Sequence, residues 1–181
     1  MVKPCKQLVG RLTGVGTHPT LGGGVHKPGA GNAGHKCPRR LPANMDEVVR
    51  ARGHEHVAGE HASTLELTTD DYLTPAGDCI LGIEADRAPA DFDDAFADAC
   101  RDADATITLV LEADGHRDEI TGRGHPDLEL TNERSMVGRT STYVDDRTIF
   151  VDADKAAGDV DRDLVAALAD GADLTATLRV E

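Results

Sequence analysis

The sequence lacks a long apolar run, a secretion signal and any closely paired cysteines. No window approaches the roughly 18 to 20 consecutive apolar residues that a membrane-spanning helix needs. The N-terminus has no apolar core of the kind found in secretion signals, and the four cysteines form no C-x-x-C pair. We therefore expect a cytoplasmic protein in a reducing compartment, without a framework of disulfide bonds.

Two motifs that mark large enzyme classes are also absent. The chain contains no G-x-x-x-x-G-K-[ST], the loop that binds nucleotide phosphates, and no G-x-S-x-G, the turn that carries a hydrolase serine. Phosphate-loop and serine-hydrolase functions therefore have no support in the sequence.

Lysine is scarce and carboxylates are abundant in one part of the chain only. Residues 1–44 hold seven Lys or Arg and no Asp or Glu, whereas residues 45–181 hold 12 basic and 33 acidic residues, with Lys155 as the single lysine. The second segment thus carries a net charge of -21. This composition is typical of salt-loving archaea, and repulsion among the carboxylates predicts folding that depends on salt. The negative charge of this segment would also repel phosphate backbones, so we do not expect it to bind nucleic acid.

The change in composition also predicts the domain boundary. Residues 1–44 contain nine Gly and five Pro and show no apolar periodicity, so we expect a disordered or mis-assigned N-terminal extension, with Met45 as the alternative initiator. Two other interpretations stay open: a basic tail that contacts nucleic acid, or a metal site. The candidate metal ligands in this segment are Cys5, His18, His26, His35 and Cys37. Residues 45–181 are predicted to form a single acidic, β-rich domain.

The acidic segment is similar to itself, which predicts two related halves. The stretch from Glu84 to Leu111 matches the stretch from Asp152 to Val180 with one inserted residue. Alternating apolar residues in 63–69, 103–113 and 173–180 predict half-buried strands.

Two segments between these strands predict amphipathic helices, because their apolar residues recur at i, i+4 and i+8. These residues are Phe92, Phe96 and Cys100 in the first, and Val160, Leu164 and Leu168 in the second. Asp91 and Asp159 are predicted to lie at the helix N-termini as acceptors of free amides. The predicted fold is an internally duplicated antiparallel β-sandwich of jelly-roll character, with a ferredoxin-like α+β sheet as the alternative.

Several short motifs resemble those of the archaeal "domain of unknown function 371" family. They are Gly53-His54, His61 before Thr64 and Glu66, Leu73-Thr74 before Gly77-Asp78-Cys79-Ile80, Ala85-Asp86 and Arg147-Thr148. The resemblance covers residues 47 to 181 and implies a jelly-roll-like β-sandwich in a cytosolic archaeal protein, with no activity attached. This chain departs from the family at His56, where Asn is usual.

One candidate site is a metal centre. His54, His56 and Glu60 spell H-x-H-x-x-x-E, the spacing by which one strand of a jelly roll can point two imidazoles and a carboxylate at a divalent metal. The alternative is that these are hydrogen-bonded polar residues at a strand edge.

A second candidate site is catalytic. If the strands at 63–69 and 79–84 are neighbours, His61, Asp78 and Cys79 converge as a base, an orienting carboxylate and a thiol nucleophile. The alternatives are that Cys79 is a small buried hydrophobe and that Asp78 closes a turn.

Ligand binding is the third possibility. Arg139, Ser141 and Arg147 offer cationic and hydroxyl groups to an anionic ligand, and His54 and Glu66 complete the candidate set. The leading hypothesis is a cytosolic small-molecule-binding protein or enzyme with a site lined by His, Asp and Cys. Two alternatives are a non-catalytic interaction module, including a homo-oligomer, and an RNA-associated factor. Whether the protein is an enzyme stays open.

Overall fold

The computed structural model describes residues 45–181, which form a mainly β structure with two sheets and two α-helices. The predictions made for residues 1–44, including the metal ligands there, lie outside the described residues. Within the described part of the chain, no helix is both long and apolar enough to cross a membrane.

The described residues form eight strands and two helices, with one helix after the third strand and the other after the seventh. The strands are β1 (Met45–Arg52), β2 (Thr64–Thr68), β3 (Ile80–Gly82), β4 (Thr106–Ala113), β5 (His116–Arg123), β6 (Ser135–Arg139), β7 (Thr148–Phe150) and β8 (Asp173–Val180). The helices are α1 (Asp94–Cys100), before β4, and α2 (Arg162–Ala169), before β8. A single 3-10 turn precedes each helix.

The strands form two four-stranded sheets that differ in their pairing. The first sheet has the order β1-β8-β4-β5 and is antiparallel throughout. The second has the order β3-β2-β6-β7, and only its central β2-β6 pair is antiparallel. Its outer pairs, β2-β3 and β6-β7, are parallel. The prediction of a wholly antiparallel fold is therefore wrong for this sheet, because the alternation of apolar residues fixes which face is buried but not the direction of the neighbouring strand.

One apolar core draws on both sheets and both helices. Leu65 and Leu67 of β2 lie in the same buried cluster as Leu109 of β4 and Leu178 of β8. Alternation then places the intervening residues of β2, including Glu66, on the opposite face of the second sheet. Single β-bridges, Arg52 to Ile83 and Arg123 to Val151, join the two sheets at both edges.

The helices begin two residues later than predicted. Asp93 caps α1 by accepting the Ala95 amide, and Asp161 caps α2 by accepting the Asp163 and Leu164 amides. Asp91 and Asp159 instead accept the amides of Ala88 and Ala156 within the preceding 3-10 turns. The prediction that Asp91 and Asp159 serve the helices is corrected accordingly, since a carboxylate two residues upstream reaches the turn and not the helix.

A buried carboxylate, Glu47, and a partly buried one, Asp118, anchor the helix starts in the same way. Glu47 of β1 binds Arg87 and accepts the amide of Asp93. In the second half of the chain, Asp118 of β5 binds Lys155 and accepts the amide of Asp161. The order of elements recurs as well, because β1, β2, β3, α1 and β4 are followed by β5, β6, β7, α2 and β8.

Candidate functional site

A connected group of polar side chains lies on the outer face of the second sheet. Its centre is Glu66, the middle residue of β2, which pairs with Val137 of β6. The Glu66 side chain is only 14% exposed. Among the residues that the structure describes, its carboxylate accepts one hydrogen bond, from the Cys79 thiol at 3.6 Å. An ionised carboxylate offers about four acceptor positions, so most of the capacity of Glu66 is unused.

Cys79 reaches Glu66 because β2 and β3 are parallel neighbours. The Glu66 amide donates to the Cys79 carbonyl at 2.8 Å, which fixes the two residues side by side. Burial, and then the Glu66 carboxylate, raise the pKa of the Cys79 thiol to about 11. The thiol is therefore protonated near neutral pH and acts as a donor to Glu66, not as a nucleophile.

Arg147 approaches Glu66 from the other side. Its Nη1 lies 3.9 Å from Oε2 of Glu66, and its Nη2 lies 3.3 Å from a carboxylate oxygen of Asp145. The Arg147 side chain is 40% exposed. It therefore presents guanidinium N–H groups to solvent directly beside the Glu66 carboxylate, which is itself largely buried.

Asp145 links Arg147 to a buried support. It receives hydrogen bonds from Arg139 at 2.6 Å and from the Thr148 hydroxyl at 2.8 Å. Burial alone would raise the pKa of Asp145, but these two bonds and the guanidinium of Arg147 hold it below its ordinary value. Arg139 is itself buried and lies 5.0 Å from the centre of the Tyr143 ring. In this part of the network, therefore, the charged groups are paired with each other.

His61 belongs to the edge of the group and does not bind Cys79 directly. Its Nδ1 accepts the amides of Ser63 and Thr64 and lies 2.9 Å from the Thr64 hydroxyl. With Nδ1 committed as an acceptor, Nε2 carries the proton of the neutral ring. This arrangement closes a turn before β2, and His61 is poorly placed to take a proton from the thiol.

The remaining predicted catalytic and ligand-binding residues lie apart from this contact. The backbone carbonyl of Asp78 accepts the amides of Glu60 and His61, at 3.0 and 3.4 Å, so the residue joins two loops. Ser141 is exposed, and its hydroxyl accepts the Tyr143 amide at 3.4 Å. Of the sequence candidates, the structure thus brings together Glu66, Cys79 and Arg147, with Arg139 one contact further away.

The predicted metal ligands serve local turns. His54 Nδ1 accepts the amide of His56, and the His54 carbonyl accepts the amide of Val57. The one group of three possible ligands that the described residues bring within 4.8 Å of one another is His116, Asp161 and Asp163, which are all exposed. This group does not include the predicted ligands His54, His56 and Glu60.

Sequence reasoning missed three members of the network: Thr64, Asp145 and Thr148. The alternation in β2 placed Thr64 on the same face as Glu66, so this signal was present. Asp145 and Thr148 come together because the Asp145 carboxylate accepts the Thr148 hydroxyl across a tight turn, a pattern that a polar loop sequence does not distinguish from any other.

The raised pKa of Cys79 has a measurable consequence. Its alkylation by iodoacetamide at about pH 8 should be roughly a hundredfold slower than that of an unperturbed cysteine, because the thiolate fraction falls by about tenfold per pKa unit. Replacing the anion in Glu66→Gln should lower the pKa and accelerate the reaction several-fold. Peptide-resolved mass spectrometry of the full chain across a pH series measures both effects.

Cys100 provides the internal control for this experiment. It is 1% exposed, and burial raises its pKa to about 12, so it should stay unmodified in the folded protein. A fast reaction of Cys79 at neutral pH, unchanged in Glu66→Gln, would restore the thiolate nucleophile and contradict the geometry described above.

A groove elsewhere on the surface provides a second possible binding region. It lies beside α1 and is bounded by Phe92, Arg101 and Leu130. It contains no member of the Glu66 network, and its lining includes the carboxylates of Asp94, Asp98 and Glu129.

Comparisons with known proteins identify a family whose model spans almost all of the described domain. The model of a family described as a domain of unknown function (DUF371) matches residues 49–181. An uncharacterised protein of the archaeon Methanocaldococcus jannaschii is 42% identical over 130 residues, which cover 72% of this chain and 96% of that protein.

Proposed function

The chain belongs to the DUF371 family, as its motifs predicted, and we propose that it is a small-molecule-binding protein whose ligand contacts Glu66 and Arg147 on the outer face of the second sheet. The observation that carries this proposal is the Glu66 carboxylate, which is 14% exposed and accepts one hydrogen bond from the described residues, from a thiol. A largely buried carboxylate with unused acceptors is unfavourable unless something else supplies donors. A ligand with hydrogen-bond donors would supply them.

A comparison of the two halves supports this location. We propose that the halves are copies of one pattern, packed as a flattened sandwich around an approximate two-fold axis between β2 and β6. The Glu66 amide donates to the Cys79 carbonyl, and the Val137 amide donates in the same way to the Arg147 carbonyl. Glu66 and Val137 therefore occupy equivalent positions, as do Cys79 and Arg147.

The two halves share their anchoring contacts but differ in chemistry at the proposed site. The carboxylates that anchor the helices keep their role in both halves, as do the pairs Arg52 with Glu84 and Arg123 with Asp152. Near the axis, by contrast, Glu66 stands opposite Val137 and Cys79 corresponds to Arg147. The contacts that both halves share have a structural role. The polar group that only one half provides beside the axis is consistent with a single ligand site there.

The geometry favours binding over thiol catalysis. The Cys79 thiol is protonated, and His61 makes its bonds to a turn and none to the sulfur. A Cys-His nucleophile needs both a thiolate and an imidazole in contact with the sulfur, and the contacts of the described residues supply neither.

A thermal-shift screen of small polar metabolites against the full chain tests the proposal. Compounds that bind the folded state stabilise it by RT ln(1 + [L]/Kd), where [L] is the free ligand concentration, and so raise the unfolding midpoint. We expect at least one chemical class to raise the midpoint of the native sequence by about 2 °C or more, and to lose this effect in Glu66→Gln.

Glu133→Gln is the matched control, because it removes the same charge from an exposed residue outside the network. It should respond to the ligand as the native sequence does. If Glu66→Gln and Glu133→Gln respond alike to every compound that binds, the site lies elsewhere and the proposal fails.

We also propose that this cytoplasmic domain is adapted to high salt, as in haloarchaea. A charge of -21 on residues 45–181 creates repulsion that counter-ions screen. The unfolding midpoint should therefore rise by about 10 °C or more between roughly 0.1 M and 2 M NaCl, as measured by circular dichroism. A midpoint that falls or stays level over this range would remove the case for salt adaptation.

A further inference from the structure

The charges around the proposed site balance one another. The network holds two carboxylates, Glu66 and Asp145, and two guanidinium groups, Arg139 and Arg147. Asp145 and Arg139 are paired at 2.6 Å in the buried part. Glu66 and Arg147 are the members whose hydrogen-bonding capacity is partly unused by the described residues, and Oε2 of Glu66 lies 3.9 Å from Nη1 of Arg147.

This pair presents an acceptor and a donor side by side. Glu66 Oε2 takes only the weak bond from the Cys79 thiol, while Nη1 of Arg147 makes no hydrogen bond to the described residues. A separation of 3.9 Å exceeds a direct N–H···O hydrogen bond, which needs about 2.7 to 3.2 Å. The two groups therefore attract each other without satisfying each other, and both stay available to a ligand.

From this geometry, and given the proposed function, we infer that the ligand is a small zwitterion of the α-amino acid type. Its ammonium group would donate to Glu66 and its carboxylate would accept from Arg147. An α-amino acid carries these groups on one carbon atom, so it can meet an acceptor and a donor that stand side by side. A zwitterion also leaves the balanced charge of the network unchanged.

Ligands with a single charge fit less well. An amine would satisfy Glu66 but leave Arg147 beside a new positive charge, and a carboxylate would do the reverse. Phosphorylated ligands meet the repulsive field of a domain that carries -21. A metal ion at Glu66 would lie close to the Arg147 guanidinium, which repels it.

Amide NMR spectra of the full chain in high salt test the inference. The chain is titrated with the standard L-α-amino acids, and then with the amine and carboxylate analogues of the strongest binder. For alanine these analogues are ethylamine and propionate. We expect saturable shifts at Glu66, Cys79 and Arg147 for the amino acid, and at least about tenfold weaker binding for each analogue, which corresponds to about 1.4 kcal/mol.

Three variants complete the experiment. Glu66→Gln and Arg147→Gln should each weaken amino-acid binding by about tenfold or more, whereas Glu133→Gln should leave it unchanged. If ethylamine or propionate binds as tightly as alanine, the inference of a zwitterionic ligand is wrong. It is also wrong if the amide shifts are confined to residues other than Glu66, Cys79 and Arg147.

The outcome also separates this inference from the proposed function. If no amino acid binds, but another class of compound raises the unfolding midpoint and loses this effect in Glu66→Gln, the inferred ligand class is wrong and the proposed site is retained. If no compound of any class depends on Glu66, both are wrong.

Discussion

Substituting alanine for Gly53 is expected to cost more than about 3 kcal/mol of folding free energy and to lower the unfolding midpoint by about 10 °C. A Cβ atom at this position would lie 1.9 Å from the carbonyl oxygen of Leu168, in the last turn of α2. The Gly53 amide also donates to the Ala172 carbonyl at 2.8 Å, which locks the two backbones together. Because the collision is with backbone, no side-chain rotation relieves it.

Gly124 and Gly171 supply the comparisons for this substitution. Gly124 stands in the same relation to the other helix, since its Cβ would lie 2.1 Å from the Asp102 carbonyl oxygen, and Gly124→Ala should be equally harmful. At Gly171, with φ of +86°, a Cβ meets nothing within 4 Å, so Gly171→Ala should cost only the backbone strain of about 1 kcal/mol. Thermal unfolding in high salt measures all three. A loss at Gly53 no larger than that at Gly171 would contradict the packing of this loop on α2.

Glu47→Ala is expected to cost about 3 kcal/mol of folding free energy, the second large effect. The side chain is 6% exposed, binds Arg87 and accepts the Asp93 amide at 2.7 Å. Its removal leaves Arg87 without its carboxylate partner and the amide of Asp93, the residue that caps α1, without an acceptor. The partial exposure of Arg87 limits the loss, because water solvates part of its charge.

Asp46→Ala is the matched control for Glu47→Ala. Asp46 is its neighbour in β1, and its ion pair with Arg179, 3.4 Å apart, is solvent-exposed, so the loss should stay below about 1 kcal/mol. Denaturant unfolding compares the two variants. Equal losses would show that the buried carboxylate does not anchor α1.

Asp118, the carboxylate that anchors α2 in the second half, predicts that the stability of the fold depends on pH. Burial raises the pKa of Asp118, but Lys155 and the amides of Asp161 and Glu119 outweigh it and hold the pKa below its ordinary value of 3.8. A carboxyl group with a lowered pKa stabilises the folded state above the unfolded-state pKa, and this contribution is lost as the pH falls through the lowered value. The acid limb of a stability curve should therefore be shallower in Asp118→Asn.

Periodicity predicted the elements of this fold but not their neighbours. The alternation in 63–69, 103–113 and 173–180 was enough to locate β2, β4 and β8, because burial of one face forces a period of two. No such rule determines strand direction, so the parallel pairs of the second sheet could not be predicted. Asp114 and Gly115, with φ of 48° and 82°, form the turn between β4 and β5. An Asp-Gly pair is a strong sequence signal for a β-hairpin, so this turn was predictable.

The candidate site was predictable in part, for a related reason. Cys79 and Glu66 were both in the candidate set, but the set assigned Cys79 to His61 on the condition that the strands at 63–69 and 79–84 are neighbours. The two strands are neighbours, yet the thiol contacts Glu66. The parallel register of β2 and β3 brings the thiol to Glu66, and the chain reversal before β7 brings Arg147 to the same carboxylate. Contacts of this kind depend on tertiary structure, which spacing along one segment does not encode.

A crystal structure of the full chain, grown with the strongest binder from the thermal-shift screen, tests the proposed site most directly. We expect ligand density on the outer face of the second sheet, within hydrogen-bond distance of the Glu66 carboxylate and the Arg147 guanidinium. Density in the groove bounded by Phe92, Arg101 and Leu130, with the Glu66 face left to solvent, would contradict it.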